Sequence, residues 1–372
     1  MKKLLFAMLA LIFALPNFSK AQGCMDSSPS TGGPQIIGYI QPEFRADFLN
    51  TDKDNTLNKY SFAFRRARIG LTGSIPYDFS YYVMTDFSSF QNGPYLLDAF
   101  VTYNRFKPWF KLSIGQFKRS FGLELSTPCQ DLYTIDRSLM VSEMLTPFRD
   151  LGVMISGSTA DKKLFGLNNE NIIAYSLSLT NGTGMNVFDK DRYKDITARL
   201  VLSPVEGIAV GGSYQYGKLL STDTSKTADL RTRIGADISV KKKNFVFQAE
   251  YIKGVDDGSK LEGGGCGATP TVVLGTFKRD GYYAQLGYMT KWNIMPLVKF
   301  ESYDPDKDLD DIDTHAYRKS TVIMGLNYYP NDATRVQMNY FYNIEKSSST
   351  DIARYNEYPN DAFVLQVQVK LN

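Results

Sequence analysis

The sequence carries one histidine, His315, with three cysteines and two tryptophans in 372 residues. A single histidine excludes a histidine-based catalytic triad or a multi-histidine metal site within one chain. Basic residues number 42 and acidic residues 39, too even a balance for a dedicated nucleic-acid binder with a concentrated basic face. No Gly-x-Ser-x-Gly elbow is evident, so an outer-membrane lipase has no anchor in the sequence. Gly263-Gly264-Gly265 lacks the following Lys-Ser/Thr of a phosphate-binding loop and reads as a flexible surface segment. Beyond residues 4–15, no apolar run approaches the roughly 20 residues of a membrane helix.

What is present is aromatic and strand-like. Tyr and Phe number 24 each, and aromatic side chains favour strands. With 43% apolar and 22% charged residues, the chain can build a folded barrel or domain and is not a disordered one.

Lys2 and Lys3 precede the 12-residue apolar run Leu4 to Leu15, and Ser19-Lys20-Ala21 offers small residues at a cleavage site. Residues 1–21 are expected to be a cleaved signal peptide, and 22–35 a short periplasmic N-terminal segment. Cys24 lacks a good lipidation box before it. Cleavage after Ala21 would remove Lys2, Lys3 and Lys20, leaving 39 basic against 39 acidic residues.

Period-two alternation recurs along the rest. Phe363, Leu365, Val367, Val369 and Leu371 share one parity, and Gln366, Gln368 and Lys370 the other. Ala67, Ile69 and Leu71 alternate with Arg66, Arg68 and Thr72, and Phe110, Leu112 and Ile114 with Lys111 and Ser113. The pattern predicts 16 strands, near 36–49, 60–75, 78–89, 95–106, 109–117, 151–160, 171–180, 194–202, 206–217, 229–240, 244–254, 280–290, 295–302, 318–329, 334–345 and 361–371.

Connections after even-numbered strands are short and hold segments such as Pro76-Tyr77, Lys107-Pro108 and Lys241-Lys242-Lys243; 161–170 fits least well. Those after odd-numbered strands are mostly long, with 118–150 the longest. Short turns on one rim and long loops on the other predict an all-β, 16-stranded antiparallel transmembrane β-barrel over 36–372, with periplasmic turns and extracellular loops. In hydrocarbon only a closed barrel leaves no backbone edge unpaired. Sixteen strands enclose a lumen too wide for side chains to fill, hence an aqueous channel. Trp109 and Trp292 fall in short turns, where an aromatic belt is expected. The chain is too short for the 22-stranded barrel and plug of a TonB-dependent importer.

The chain resembles the phosphate-selective porin O and P family over essentially its whole mature length. The resemblance rests on Phe64-Arg65-Arg66-Ala67-Arg68-Ile69-Gly70-Leu71, Ile114-Gly115-Gln116-Phe117-Lys118, Phe121-Gly122-Leu123-Glu124, Ile135-Asp136-Arg137-Ser138-Leu139 and Arg149-Asp150-Leu151-Gly152-Val153, in this order and spacing. It implies a bacterial outer-membrane porin, commonly a homotrimer, whose third long loop, 118–150, folds inward and narrows the pore. Leu132, Ile135, Leu139 and Leu145 would then pack against the inner wall. Porins commonly end in an aromatic residue, whereas this chain ends Leu371-Asn372. The balanced mature charge also departs from the many inward basic residues of phosphate-selective members.

The expected function is passive diffusion of small solutes, with anions such as phosphate as the cargo and no cofactor or catalysis. A non-conducting surface-binding or structural barrel is the alternative. Arg66, Arg68, Lys111, Lys118, Arg119, Arg137 and Arg149 are the candidate pore residues, because rings of Arg and Lys attract anions. The competing reading pairs each with a lumen carboxylate such as Asp86, Asp98 or Asp150. The acidic run Asp304, Asp306, Asp308, Asp310, Asp311 and Asp313 could meet lipopolysaccharide through divalent cations. It lacks the Gly and closing Glu of a calcium loop, so a solvated loop is the expectation rather than a metal site. Cys129 and Cys266 fall in two long loops and are a candidate disulfide in an exported chain.

Overall fold

The computed structural model describes residues 33–48, 58–76, 78–88, 93–159, 171–189, 191–221, 225–262, 271–308, 318–345 and 360–371. The expected signal peptide, Cys24, the 161–170 connection, Gly263 to Cys266, Asp310 to His315 and nearly all of the 22–35 segment lie outside them.

Sixteen antiparallel strands form one closed barrel. They are β1 Gln35–Phe48, β2 Lys59–Ile75, β3 Phe79–Asp86, β4 Tyr95–Tyr103, β5 Lys111–Lys118, β6 Arg149–Ser158, β7 Ile173–Thr180, β8 Asp195–Val205, β9 Ile208–Leu220, β10 Ala228–Lys242, β11 Phe245–Glu262, β12 Thr271–Tyr288, β13 Ile294–Asp304, β14 Lys319–Tyr328, β15 Thr334–Glu345 and β16 Asp361–Leu371. Each strand pairs with its sequence neighbours, and β1 closes the ring on β16 with Gly38 opposite Leu371. Both ends of the barrel chain therefore lie on one rim, called the turn end below; the other rim is the loop end.

The strand faces are inverted relative to a water-soluble protein. Ile69, Leu71, Ile114, Leu286 and Val298 point outward and are exposed, whereas Gln41, Thr72, Asn327, Gln337, Gln366 and Gln368 point inward and are buried. That arrangement suits hydrocarbon outside and a polar interior. Trp109 and Trp292 are exposed at the turn end.

The strands are unequal. β3 to β7 have 8, 9, 8, 10 and 8 residues, while β11 and β12 have 18 each. The sequence pattern ends strand 11 near 254, yet β11 runs to Glu262 and β12 begins at Thr271. Lys253, Asp256 and Asp257 interrupt the apolar alternation, but cross-strand hydrogen bonding needs only backbone and persists beyond the apolar band.

Residues 119–148 run inside the barrel. They carry a short helix at Leu123–Ser126, a 3-10 turn at Cys129–Asp131 and a second helix at Leu139–Met144. The loop descends to the turn end. Asp131 meets Lys370, next to last in β16, at 3.1 Å. Leu132 O accepts from Arg335, second in β15, at 2.9 Å, and Tyr133 O from Asn327, next to last in β14, at 2.9 Å. On its way back it packs Met140, Val141, Met144 and Leu145, with Phe121 and Leu125, onto Ile252, Tyr283 and Tyr303 of β11 to β13. Gly281 makes room for this contact, since a Cβ there would lie 2.5 Å from Met140 Cβ.

Candidate functional site

The basic cluster begins with the register of the first three strands. Tyr39, Arg68 and Asp86 are successive cross-strand partners on β1, β2 and β3, so their side chains share one inward row. Arg68 Nε donates to Asp86 Oδ2 at 2.8 Å, and its Nη1 donates to the Tyr39 hydroxyl at 2.7 Å. Asp86 also accepts the backbone N–H groups of Ala67 and Ser88. Arg66, one inward position along, is buried and donates to Gln41 at 2.8 Å. Among the described residues no carboxylate pairs with it.

The inner loop supplies the other half. Arg137 donates through Nε to Glu124 O at 3.2 Å and through Nη2 to Thr127 O at 2.8 Å, and it lies over the Phe148 ring. Lys118 donates to Thr127 O at 3.1 Å. Between the two halves sits the Cys129 thiol, which receives Arg137 Nη1 at 3.2 Å and Arg68 Nη1 at 3.4 Å. Burial works against ionising this thiol. The charges of Arg137, Arg66, Arg68 and Lys118 outweigh it and hold the thiol well below its ordinary range. Low-dielectric walls around a group of like charges strengthen the field in the gap they border.

Of the seven expected pore residues, the structure thus gathers Arg66, Arg68, Lys118 and Arg137. Arg149 stands beside them, paired with Asp98 at 3.0 Å. Arg119 does not join them. It is buried on another side, donating to Asp195 at 3.1 Å, Leu145 O at 2.8 Å and Pro147 O. Burial and the neighbouring Arg231 charge push its guanidinium down to about 10, against the pull of Asp195 and Asp150. Lys111 opens β5 at the turn end, away from this cluster. The pairing with carboxylates occurs for Arg68, Arg119 and Arg149, with Asp86, Asp195 and Asp98, while Asp150 accepts the backbone N–H groups of Leu151 and Gly182 instead.

Cys129 is a free thiol in the structure, and Cys266, its expected disulfide partner, lies outside the described residues. The loop carries Cys129 down against β2, where Arg68 reaches it. In the acidic run, Asp304 pairs with Arg318 at 3.0 Å and Asp308 with Lys278 at 3.0 Å. No group of three potential metal ligands occurs among the described residues.

Strict alternation hides Arg65. The pairing of β1 with β2 shifts at Gln41/Pro42, so Arg65 is an extra residue and faces the lumen as Arg66 does. It grips Asp136 of the loop at 2.7 Å. Pro42, which has no N–H for the ladder, was the available sequence signal. Strand parity also turns other cations into the lumen: Arg199 pairs with Asp237, Arg231 with Asp195, and Arg233 with Asp256. Lys299, fully buried, pairs with Glu124 at 2.6 Å and Glu301 at 3.5 Å.

The sequence model of the family described as phosphate-selective porin O and P matches residues 39–219 and 215–371. The chain belongs to this family. No curated protein matches this porin significantly in sequence. Solved structures share its fold. An anion-selective porin from Comamonas acidovorans superposes with a TM-score of 0.63 at 10% identity, covering 91% of this chain and 99% of that one. The outer membrane channel DcaP of Acinetobacter baumannii gives 0.63 at 13% identity, covering 92% and 99%. OmpT, an outer membrane protein of Vibrio cholerae in trimer form, gives 0.59 at 10% identity, covering 91% and 100%. This porin is an outer-membrane β-barrel channel for small solutes.

Proposed function

We propose that this porin passes small anions, phosphate among them, along the basic face formed by Arg66, Arg68, Lys118 and Arg137. The observation that carries the reading is Arg66. It is a buried lumen guanidinium that hydrogen-bonds Gln41 and forms no ion pair with a carboxylate among the described residues, so much of its field is available to an anion. Arg137 supports it, being hydrogen-bonded to two backbone carbonyls and the Cys129 sulfur rather than to a carboxylate. A guanidinium can engage two phosphate oxygens at once, which an ammonium cannot. Arg149, Arg119 and Lys111 then act by other routes: Arg149 and Arg119 hold carboxylates, and Lys111 adds charge at the turn end. Residues 118–150 act as the constriction.

The same reading covers export and assembly. Residues 1–21 serve as a cleaved signal peptide and 22–35 as a periplasmic lead-in, and the loop end faces the lipopolysaccharide leaflet. The porin works as a homotrimer. A strand of eight residues tilted about 45° spans about 19 Å, less than the about 25 Å of an apolar band. β3, β5 and β7 have that length, and their outward Val83, Ile114, Leu177 and Leu179 suit burial against a second copy.

Conductance in a planar bilayer under a KCl gradient tests the channel. Anion preference that falls in Arg66→Gln/Arg137→Gln, with chloride current blocked by millimolar phosphate in the parent, supports the reading. Unchanged preference in the double variant removes it. No conductance from folded protein would favour a structural barrel, consistent with how deeply the loop sits.

A further inference from the structure

We propose that Cys129 is a fixed thiolate inside the lumen, a tethered anion that occupies part of the arginine cluster and thereby limits how strongly the channel prefers free anions. The inference rests on the anion pathway proposed above and names the residue that tunes it.

The geometry comes from two independent elements. Arg68 reaches the sulfur from the barrel wall at 3.4 Å and Arg137 from the loop at 3.2 Å. Guanidinium groups are donors only, so both contacts require the sulfur to accept. A neutral thiol is a weak acceptor, while a thiolate between two cations is a strong one. The charges around it point the same way. Arg66 is buried, and neither it nor Arg137 forms an ion pair with a carboxylate among the described residues. The nearby acids are engaged: Asp86 by Arg68, Asp98 by Arg149, and Asp136 by Arg65 and, more distantly, Arg45. The sulfur is therefore the remaining group that can carry negative charge between Arg68 and Arg137. Tyr39 and Glu124 also border the site: the Tyr39 hydroxyl accepts from Arg68, and the Glu124 carboxylate faces away to Lys299.

A channel of this kind would carry its own competing ion. Part of the positive field is neutralised by a group that cannot leave, so a permeating anion meets a weaker well. A weaker well also releases the anion more readily, and conduction needs release as much as entry.

The test uses full-length protein carrying Cys24→Ser and Cys266→Ser, so that Cys129 is the one thiol. Cys129→Ser in that background removes the charge and keeps a small polar side chain, and Cys129→Asp restores a charge. The chloride-over-potassium permeability ratio is expected to rise on the order of sevenfold in the serine variant, because one unit charge at about 7 Å in water shifts each of the two ions about threefold in opposite directions. The aspartate variant should return to the background value. The ultraviolet absorbance of a thiolate should be present in folded background protein, weaken in Arg137→Gln and vanish in Cys129→Ser. Heat-modifiable gel mobility confirms that each variant is folded.

Absence of the thiolate band, or equal selectivity in all three Cys129 proteins, would overturn the inference. The anion pathway itself fails separately, if Arg66→Gln/Arg137→Gln leaves selectivity unchanged. A thiolate band combined with an unmoved permeability ratio in Cys129→Ser also overturns it, because the charge would then be present without acting on the permeating ion.

Discussion

The inner loop meets two walls of the same lumen by different physics. Against β11 to β13 it presents Met140, Val141, Met144 and Leu145, which pack on Ile252, Tyr283 and Tyr303 with hardly any exposed surface. Against β1 to β3 it presents Cys129, which meets Arg68 of the row shared with Tyr39 and Asp86, and Asp136, which meets Arg65, with Arg137 behind Cys129. The first contact is non-directional and scales with buried apolar area. The second is directional and depends on which charges have partners. The apolar wall fixes where the loop lies, and the charged wall is where an ion would feel it. Lys299 links the two styles, a buried cation on the apolar side that holds Glu124 of the loop and Glu301 of β13.

The largest expected effect comes from breaking that link. Lys299→Ala leaves two carboxylates, Glu124 and Glu301, without their cation, and should destabilise the folded barrel by about 5 kcal/mol. Urea unfolding in detergent checks it. Arg68→Gln should follow at about 3 kcal/mol, because it strands Asp86, which is fully buried. Arg66→Gln on the neighbouring inward position should lose about 1 kcal/mol or less, since its hydrogen-bond partner is Gln41 and Asp136 keeps its ion pair with Arg65. The pair separates structure from permeation: both should lower anion preference in bilayers, but only Arg68→Gln should lower stability much.

On the apolar wall, Met140→Ala should loosen the loop by about 2–3 kcal/mol through lost packing. Gly281→Ala attacks the same contact from the strand side, because its Cβ would meet Met140 Cβ at 2.5 Å and push the helix inward. Both variants should change single-channel conductance while leaving the ion preference close to the parent value. A large selectivity shift in either would show that the two walls are not separable.

The smallest effect concerns pH. Burial raises the Asp136 carboxyl, but Arg65 and Arg66 overcome it and hold its folded value below the usual carboxylate range. Its contribution is therefore fully present above an unfolded value of about 4 and is lost as pH falls through the lower folded value. Channel noise should rise as pH drops below about 4, and Asp136→Asn should show raised noise already at neutral pH.

Much of the barrel was legible because a strand states its own facing. The parity of Arg66 and Arg68 against Ile69 and Leu71 placed both arginines inward, and the structure agrees. The inner loop showed itself only as a long connection with apolar residues, of which Leu132, Ile135 and Leu145 are buried. What could not be read is what that loop touches. Cys129 looked like half of a disulfide because two long loops each held a cysteine; its contacts with Arg68 and Arg137 depend on how far the loop descends. Arg65 was hidden by the shift at Pro42, which breaks the alternation on which facing was judged. Arg119 sits one residue past β5, where strand parity no longer applies, and it turned to Asp195.

The reach of the loop has a consequence for the order in which the molecule can be assembled. Glu124 waits for Lys299, 175 residues later; Leu132 waits for Arg335, 203 later; Asp131 waits for Lys370, 239 later. Contacts so distant along the chain form late. Until the last strands arrive, residues 119–148 lack the partners that hold them at the turn end. The same closing strands that seal β1 to β16 also deliver the final ties of the loop. Completion of the wall and completion of the passage are then one event, and a half-built barrel would carry its interior loose within it.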